Sequence, residues 1–164
     1  MKIKDRIKAL KRVKASELIP NPKNWRKHSD AQQNAMRGIL SEVGWANACL
    51  VRETSEGLMI IDGHLRADID PNQKIPCLVL DVTAKEADKL LATFDPLAAM
   101  AEANEDALSE LLAGIEVDSD ALQEMLDGLI EPLPESAGGK EFDESCADDV
   151  KMTKCPECGH EFPT

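Results

Sequence analysis

Asp62-Gly63-His64-Leu65-Arg66 follows an apolar run, Ile60-Ile61, and leads into residues that favour helix. That order puts a glycine, an imidazole and a guanidinium on one strand-to-helix turn. The first N–H groups of a helix have no backbone partner and attract anions. Gly63 lets the backbone approach a ligand closely. Arg66 adds a forked grip on phosphate oxygens, and His64 adds a donor or proton acceptor near neutral pH. These residues suit the binding of an anion, above all a phosphate. Turnover would further need a carboxylate, Asp95 with Asp62, within reach of His64. Taken alone, the spacing is equally that of a plain turn with a solvated Arg66.

A second group of chemistry-bearing residues is Cys155-Pro156-Glu157-Cys158-Gly159-His160. Two cysteines three apart with a glycine after the second can turn backbone amides toward thiolate sulfurs and hold half of a tetrahedral zinc site. Cys146, His160 or a second chain could supply the rest. The other reading is a reduced, flexible dithiol tail.

The elements that position these residues follow from periodicity. A strand and one turn capped by Ser16 come from "KRVKASELI", after a basic, helical lead over residues 1–9. "PNPKNWRKHSD" is a loop, with two prolines and no period. Ser29 or Asp30 caps a helix whose Ala35, Met36, Ile39, Leu40 and Val43 share a face, and Gly44 stops it. "ACLVRE" and "GLMIID" are strands joined by "TSEG". A short helix follows Gly63 and is broken by "DIDPNQ". "KIPCLVLDV" is a buried strand. Thr83 caps a helix interrupted at Asp95-Pro96 and resumed in "LAAMAEA". Asn104, and Asp118 or Ser119, cap two acidic helices. This mixed order predicts an α+β fold, a small mixed sheet with packed helices. The expected parts are a basic lead (1–11), the α+β domain (12–100), an acidic helical extension (101–131), a flexible Pro/Gly/acid linker (132–150) and the cysteine knuckle (151–164).

The chain has 164 residues and a net charge of −12, unevenly spread. Residues 1–66 hold 13 Lys+Arg against 7 Asp+Glu (+6), and residues 67–164 hold 6 against 24 (−18). A basic front half can face phosphates, while the acidic back half argues against indiscriminate coating of nucleic acid. Aromatics are 3% and Tyr is absent, so the core must be aliphatic, with Cys49 and Cys77 as small core residues. No apolar run reaches the about 18 residues of a membrane span, and no signal peptide is visible. The expectation is a soluble cytoplasmic protein without a membrane partner. Trp25 either stacks on a base or packs on the domain edge.

The Pro/Asn loop with Asn21, Pro22, Asn24 and Arg26, the "LMIIDGHLRAD" turn, "IPCLVLD" and the helix ending in Phe94-Asp95 occur together, in that order, over residues 12–100. In this the chain resembles the N-terminal domain of the ParB/sulfiredoxin superfamily, and most of all the stand-alone ParB-like proteins of phages and prophages, often labelled ParB-like nucleases. The resemblance implies binding of CTP or ATP with Mg²⁺, and nucleotide hydrolysis or nuclease activity. It implies Gly63, Arg66, Arg26 and Asn24 as phosphate or nucleotide contacts, His64 and Asp95 as catalytic residues, and Asp95 as the Mg²⁺ ligand. His64 stands where ParB has Glu and sulfiredoxin its catalytic Cys; Asp95 stands where ParB has a metal-associated Asn. Leu65 replaces the first of an arginine pair, Pro96 follows Asp95 where a polar residue is common, and the turn has no cysteine for sulfiredoxin chemistry. No basic helix-turn-helix follows residue 100. The alternative is a non-catalytic adaptor or regulatory subunit in a phage DNA-processing complex in the bacterial host, binding nucleotide or nucleic acid, with a homodimer as the expected assembly.

Overall fold

The structure, a computed structural model, describes residues 3–129 and 152–163. The chain divides into two compact units, Met1–Ile130 and Glu131–Thr164. The expected linker 132–150, with Cys146, lies outside the described residues, as do Met1 and Lys2.

The first unit is built on a five-stranded mixed sheet. Its strands are β1 (Ile7–Lys14), β2 (Leu18–Ile19), β3 (Cys49–Glu53), β4 (Leu58–Asp62) and β5 (Lys74–Leu80). They lie in the order β1-β5-β3-β4-β2. β1 runs antiparallel to β5, β5 parallel to β3, β3 antiparallel to β4, and β4 parallel to β2. The β3–β4 hairpin turns through Thr54, whose N–H and Oγ1–H both donate to the Gly57 carbonyl. Cys49, Val51, Ile75, Cys77 and Val79 are at most 1% exposed. They make the aliphatic centre that a chain without tyrosine requires.

The lead is not helical. Ile7–Lys14 is a full strand on the edge of the sheet, and its lysines are the residues that guard an edge against further pairing. Three of its charges are also paired. Arg6 forks onto both carboxylate oxygens of Glu86 at 3.0 Å, and Lys8 and Lys11 reach Glu53. The turn after β1 is a 3-10 turn (Ala15–Glu17) that starts from Lys14 without a Ser16 cap; its N–H groups reach the Gln73 and Pro71 carbonyls.

Five helices complete this unit: α1 (Asp30–Glu42), α2 (His64–Ile69), α3 (Ala84–Ala99), α4 (Glu105–Ala113) and α5 (Asp120–Asp127). Ser29 caps α1, and Thr83 and Glu86 form a reciprocal capping box on α3. α3 does not stop at Asp95. Pro96 sits in its last turn, where a proline forfeits one backbone hydrogen bond without a long helix beyond it to disrupt. The helix ends at the Met100 cap and does not resume until Asn104 caps α4. Among the described residues no helix is long and apolar enough to cross a membrane.

The acidic helices are not a free appendage. Glu42 at the end of α1 accepts the Asp118 and Ser119 N–H groups with Oε1, at 3.0 and 2.9 Å, and so caps α5 from outside. Leu122 of α5 is buried, and Ser119, which caps α5, packs against Gly38 of α1.

The second unit contains β6 (Met152–Lys154) paired antiparallel with β7 (Glu161–Pro163). Cys155 N–H donates to the His160 carbonyl at 2.8 Å, closing the hairpin around the two cysteines.

A Cβ added at Gly38 would lie 2.5 Å from Ser119 Oγ and 2.7 Å from Ser119 Cβ. Gly38→Ala should therefore push α5 off α1 and lower stability by about 1–3 kcal/mol, the usual cost of overpacking. Thermal melts and amide exchange over Asp120–Asp127 check this; unchanged protection of α5 would contradict the contact.

Candidate functional site

Of the cavities in the first unit, two are lined in part by strands of the sheet. The larger, about 450 Å³, is lined by Leu50, Leu78, Leu80, Val82, Leu90 and Phe94, with Arg6 and Glu86 at its edge already spent on each other. Beyond that pair its one charged lining residue is Lys89. The other, about 190 Å³, is lined by charged and polar residues from four places. The loop before α1 brings Asn24, Arg26 and His28. α1 brings Gln32 and Met36. The β4–α2 corner brings Asp62, Gly63, His64, Leu65 and Arg66. α3 brings Leu90, Leu91, Phe94 and Asp95.

Gly63 makes the corner. Its φ of +98° is left-handed, and a Cβ there would meet Cys49 Sγ at 2.7 Å and Arg66 Nη2 at 3.0 Å. The glycine is thus required by the chain's own backbone and packing, before any ligand is considered. Cys49 Sγ–H donates to the Gly63 carbonyl at 3.4 Å and ties β3 to the corner. α2 is only six residues long, so the field at its start is slight, and anion binding falls mainly to the two arginines.

Arg66 is folded back onto the corner. Its Nη2 donates to Asp62 Oδ2 at 2.9 Å and to the Ala48 carbonyl at 3.3 Å. Its Nε is buried without a hydrogen-bond partner. A buried, unsatisfied guanidinium nitrogen costs free energy that a carboxylate or phosphate oxygen would recover. Arg26 closes the opposite side: its Nη2 is 2.5 Å from Asp95 Oδ2, and its guanidinium lies 5.3 Å from the centroid of the Trp25 ring. Trp25 is 61% exposed, so it neither enters the core nor covers an edge; it backs Arg26 at the rim.

His64, expected as a proton acceptor or catalytic residue, is buried, at 8% exposure. Nε2 accepts the Asn21 backbone N–H at 3.2 Å, which pins the Pro/Asn loop to the corner. The loop is then shaped by its own asparagines. Asn21 Oδ1 accepts the Lys23 N–H at 3.0 Å, and Asn24 Oδ1 accepts the Arg26 N–H at 3.4 Å. Burial holds the His64 pKa below its ordinary value, against the opposing pull of Asp68 and Asp62. The neutral ring with Nε2 as acceptor carries its proton on Nδ1.

Asn24, Arg26, Asp62, Gly63, His64, Arg66 and Asp95, all singled out from the sequence, line this polar cavity. Cys155 and Cys158 belong to the second unit. Sequence reasoning missed His28 and Gln32, whose side chains are 3.0 Å apart at the cavity, and the part played by Cys49 behind Gly63. The first pair sits at a loop–helix junction that reads only as a cap. The second depends on strand register. Among the described residues no three His, Cys, Asp or Glu converge on a metal-sized point.

No protein-family model matches the chain, and no curated protein matches it by sequence. Among solved structures it is similar to the C-terminally truncated chromosome-partitioning protein ParB from Caulobacter crescentus, complexed with CTP-γ-S. The two are 18% identical, with a TM-score of 0.51 over 64% of this chain and 60% of that one, so the chain spans less than two thirds of the ParB chain. The mixed sheet and its packed helices are a ParB-like α+β fold.

Proposed function

We propose that the small polar cavity binds the phosphates of a nucleotide, CTP or ATP, together with Mg²⁺. The observation that carries this reading is the pairing inside the cavity. Two guanidinium groups, Arg26 and Arg66, each hold one carboxylate, Asp95 and Asp62. A bare phosphate would have to displace carboxylates from arginines and leave them facing its own charge. A phosphate that arrives with a divalent cation meets no such penalty: the oxygens take the guanidinium groups and the cation takes the released carboxylate. Mg²⁺ suits this arrangement, since it is held by one or two carboxylates plus substrate phosphates rather than by an all-protein cage. Asp95, freed from Arg26, would be its ligand, with Asp62 beside it. Arg26, Arg66, Asn24 and the Gly63 corner would hold the phosphates. The cavity is smaller than the about 300–1,000 Å³ of whole-ligand pockets, which fits the anionic end of a nucleotide, with the base outside toward Trp25. The ParB-like fold, seen with a CTP analogue in the Caulobacter protein, supports the same reading.

The state of His64 favours a binding module over a hydrolase or nuclease that uses this ring as its base. With Nε2 committed to Asn21 and Nδ1 protonated, the neutral ring can donate to a phosphate oxygen but has no free lone pair to take a proton. On this reading the protein is a nucleotide-responsive adaptor, of the kind expected in a phage or prophage DNA-processing complex. Phosphate or oligonucleotide release by purified chain with Mg²⁺, lost in His64→Gln, would instead establish the enzyme.

Arg26→Ala should weaken nucleotide binding roughly ten- to a hundredfold, the loss of a charge-assisted contact of ~1.5–3 kcal/mol. Asp95→Asn should do the opposite to metal-free nucleotide, because it releases Arg26, while abolishing the Mg²⁺ enhancement. Calorimetric titration of both variants checks the pair; a parallel loss in both would contradict the exchange.

His64 also predicts a pH effect on stability. Its folded pKa is depressed, so the unfolded chain binds the extra proton first, and stability falls as pH drops through and below about 6.5. His64→Gln, whose side-chain oxygen can still accept the Asn21 N–H, should lack that step. Thermal melts between neutral and mildly acid pH measure it; the same slope in both proteins would show that His64 is not the group.

A further inference from the structure

We infer that Cys155 and Cys158 form one half of a zinc site and that the same hairpin of a second copy of this chain supplies the other half, giving one tetrahedral four-thiolate ion shared by two chains.

The hairpin is built as a metal knuckle. β6 enters it and β7 leaves it, and the backbone is closed twice: Cys155 N–H to the His160 carbonyl at 2.8 Å, and Gly159 N–H to the Cys155 carbonyl at 2.9 Å. Gly159 takes φ +75°. A Cβ there would touch nothing nearer than the end of Lys154 at 3.9 Å, so the glycine serves the left-handed turn and not a close contact. The effect of the turn is to place both cysteines in the one short connection between β6 and β7. Thiolate is the form that binds metal. Both cysteines are free thiols, with Cys158 exposed and Cys155 partly so. A dithiol tail that holds no ion does not require a hairpin closed twice around its cysteines.

Two sulfurs are half of what a structural zinc ion takes, since such sites are closed at four ligands. His160 does not make a third: among the described residues no group of three His, Cys, Asp or Glu converges. The hairpin therefore offers two ligands on an exposed face and leaves two positions open. A second copy presents an identical pair, and two pairs complete the tetrahedron with the soft, all-thiolate set that zinc favours. Four thiolates and one Zn²⁺ leave two negative charges, and Lys154 lies next to the turn on each chain.

The test is titration of the reduced, chelator-treated full-length chain with Zn²⁺ and with Co²⁺ as a spectroscopic probe. The expected end-point is about one ion per two chains, with the cobalt d–d and charge-transfer absorption of a tetrahedral four-thiolate complex. The double variant Cys155→Ser/Cys158→Ser should bind no metal, and its first unit should melt as in wild type. Cys146→Ser and His160→Asn should keep the wild-type end-point and spectrum. An end-point at one ion per chain, a two-thiolate cobalt spectrum, or metal lost in Cys146→Ser or His160→Asn would each overturn the shared site. So would a chain that takes up no metal.

Discussion

At Gly63 the backbone takes φ +98°, and the Cβ that any other residue would carry falls 2.7 Å from Cys49 Sγ. That single conformation sets the position of everything charged in the cavity. It turns β4 into α2 within one residue, so Asp62 and Arg66 stand a helical turn apart and pair at 2.9 Å. It also aims His64 inward, under the Pro/Asn loop, where the Asn21 N–H reaches its ring. The loop in turn carries Arg26 to Asp95 on α3. A chain of contacts thus runs from a buried cysteine on β3, through a glycine with no side chain, to an arginine on the opposite wall.

The charges in this cavity offset one another. Each guanidinium is held by a carboxylate, and the imidazole is kept neutral by burial. Such a site is not a standing positive patch and would not attract every polyanion. It discriminates by requiring a ligand of both signs, with anionic oxygens for the arginines and a cation for the carboxylates. The basic lead behaves alike, since Arg6, Lys8 and Lys11 are spent on Glu86 and Glu53. The +6 of the front half is therefore a poor guide to nucleic-acid binding: Arg6, Lys8 and Lys11 join the β1 region to the rest of the sheet unit.

Much of this was legible from residue types. Gly63 before helix formers, the unperiodic Pro/Asn loop, the "TSEG" turn and the Thr83 cap each carry local physics that tertiary packing did not override. What could not be read required neighbours distant in sequence. Residues 7–9 read as the end of a helical lead, apart from the strand read from Lys11 onward, and their pairing with β5 makes them the start of β1. Asp95-Pro96 looked like a break because a proline is costly in a helix interior, but three residues from the end the cost is small. His64 looked like a free base because nothing in the sequence places the Asn21 N–H, 43 residues earlier, against its Nε2.

The central claim is that the cavity takes phosphate and a divalent cation together. Isothermal titration of the wild-type chain with CTP, with ATP and with inorganic triphosphate, each with and without Mg²⁺, tests it most directly. The account predicts saturable binding of at least one nucleotide with Mg²⁺, strong weakening when Mg²⁺ is chelated, and no comparable binding of Mg²⁺ alone. Equal affinity with and without Mg²⁺, or no heat with any of the three, would contradict it.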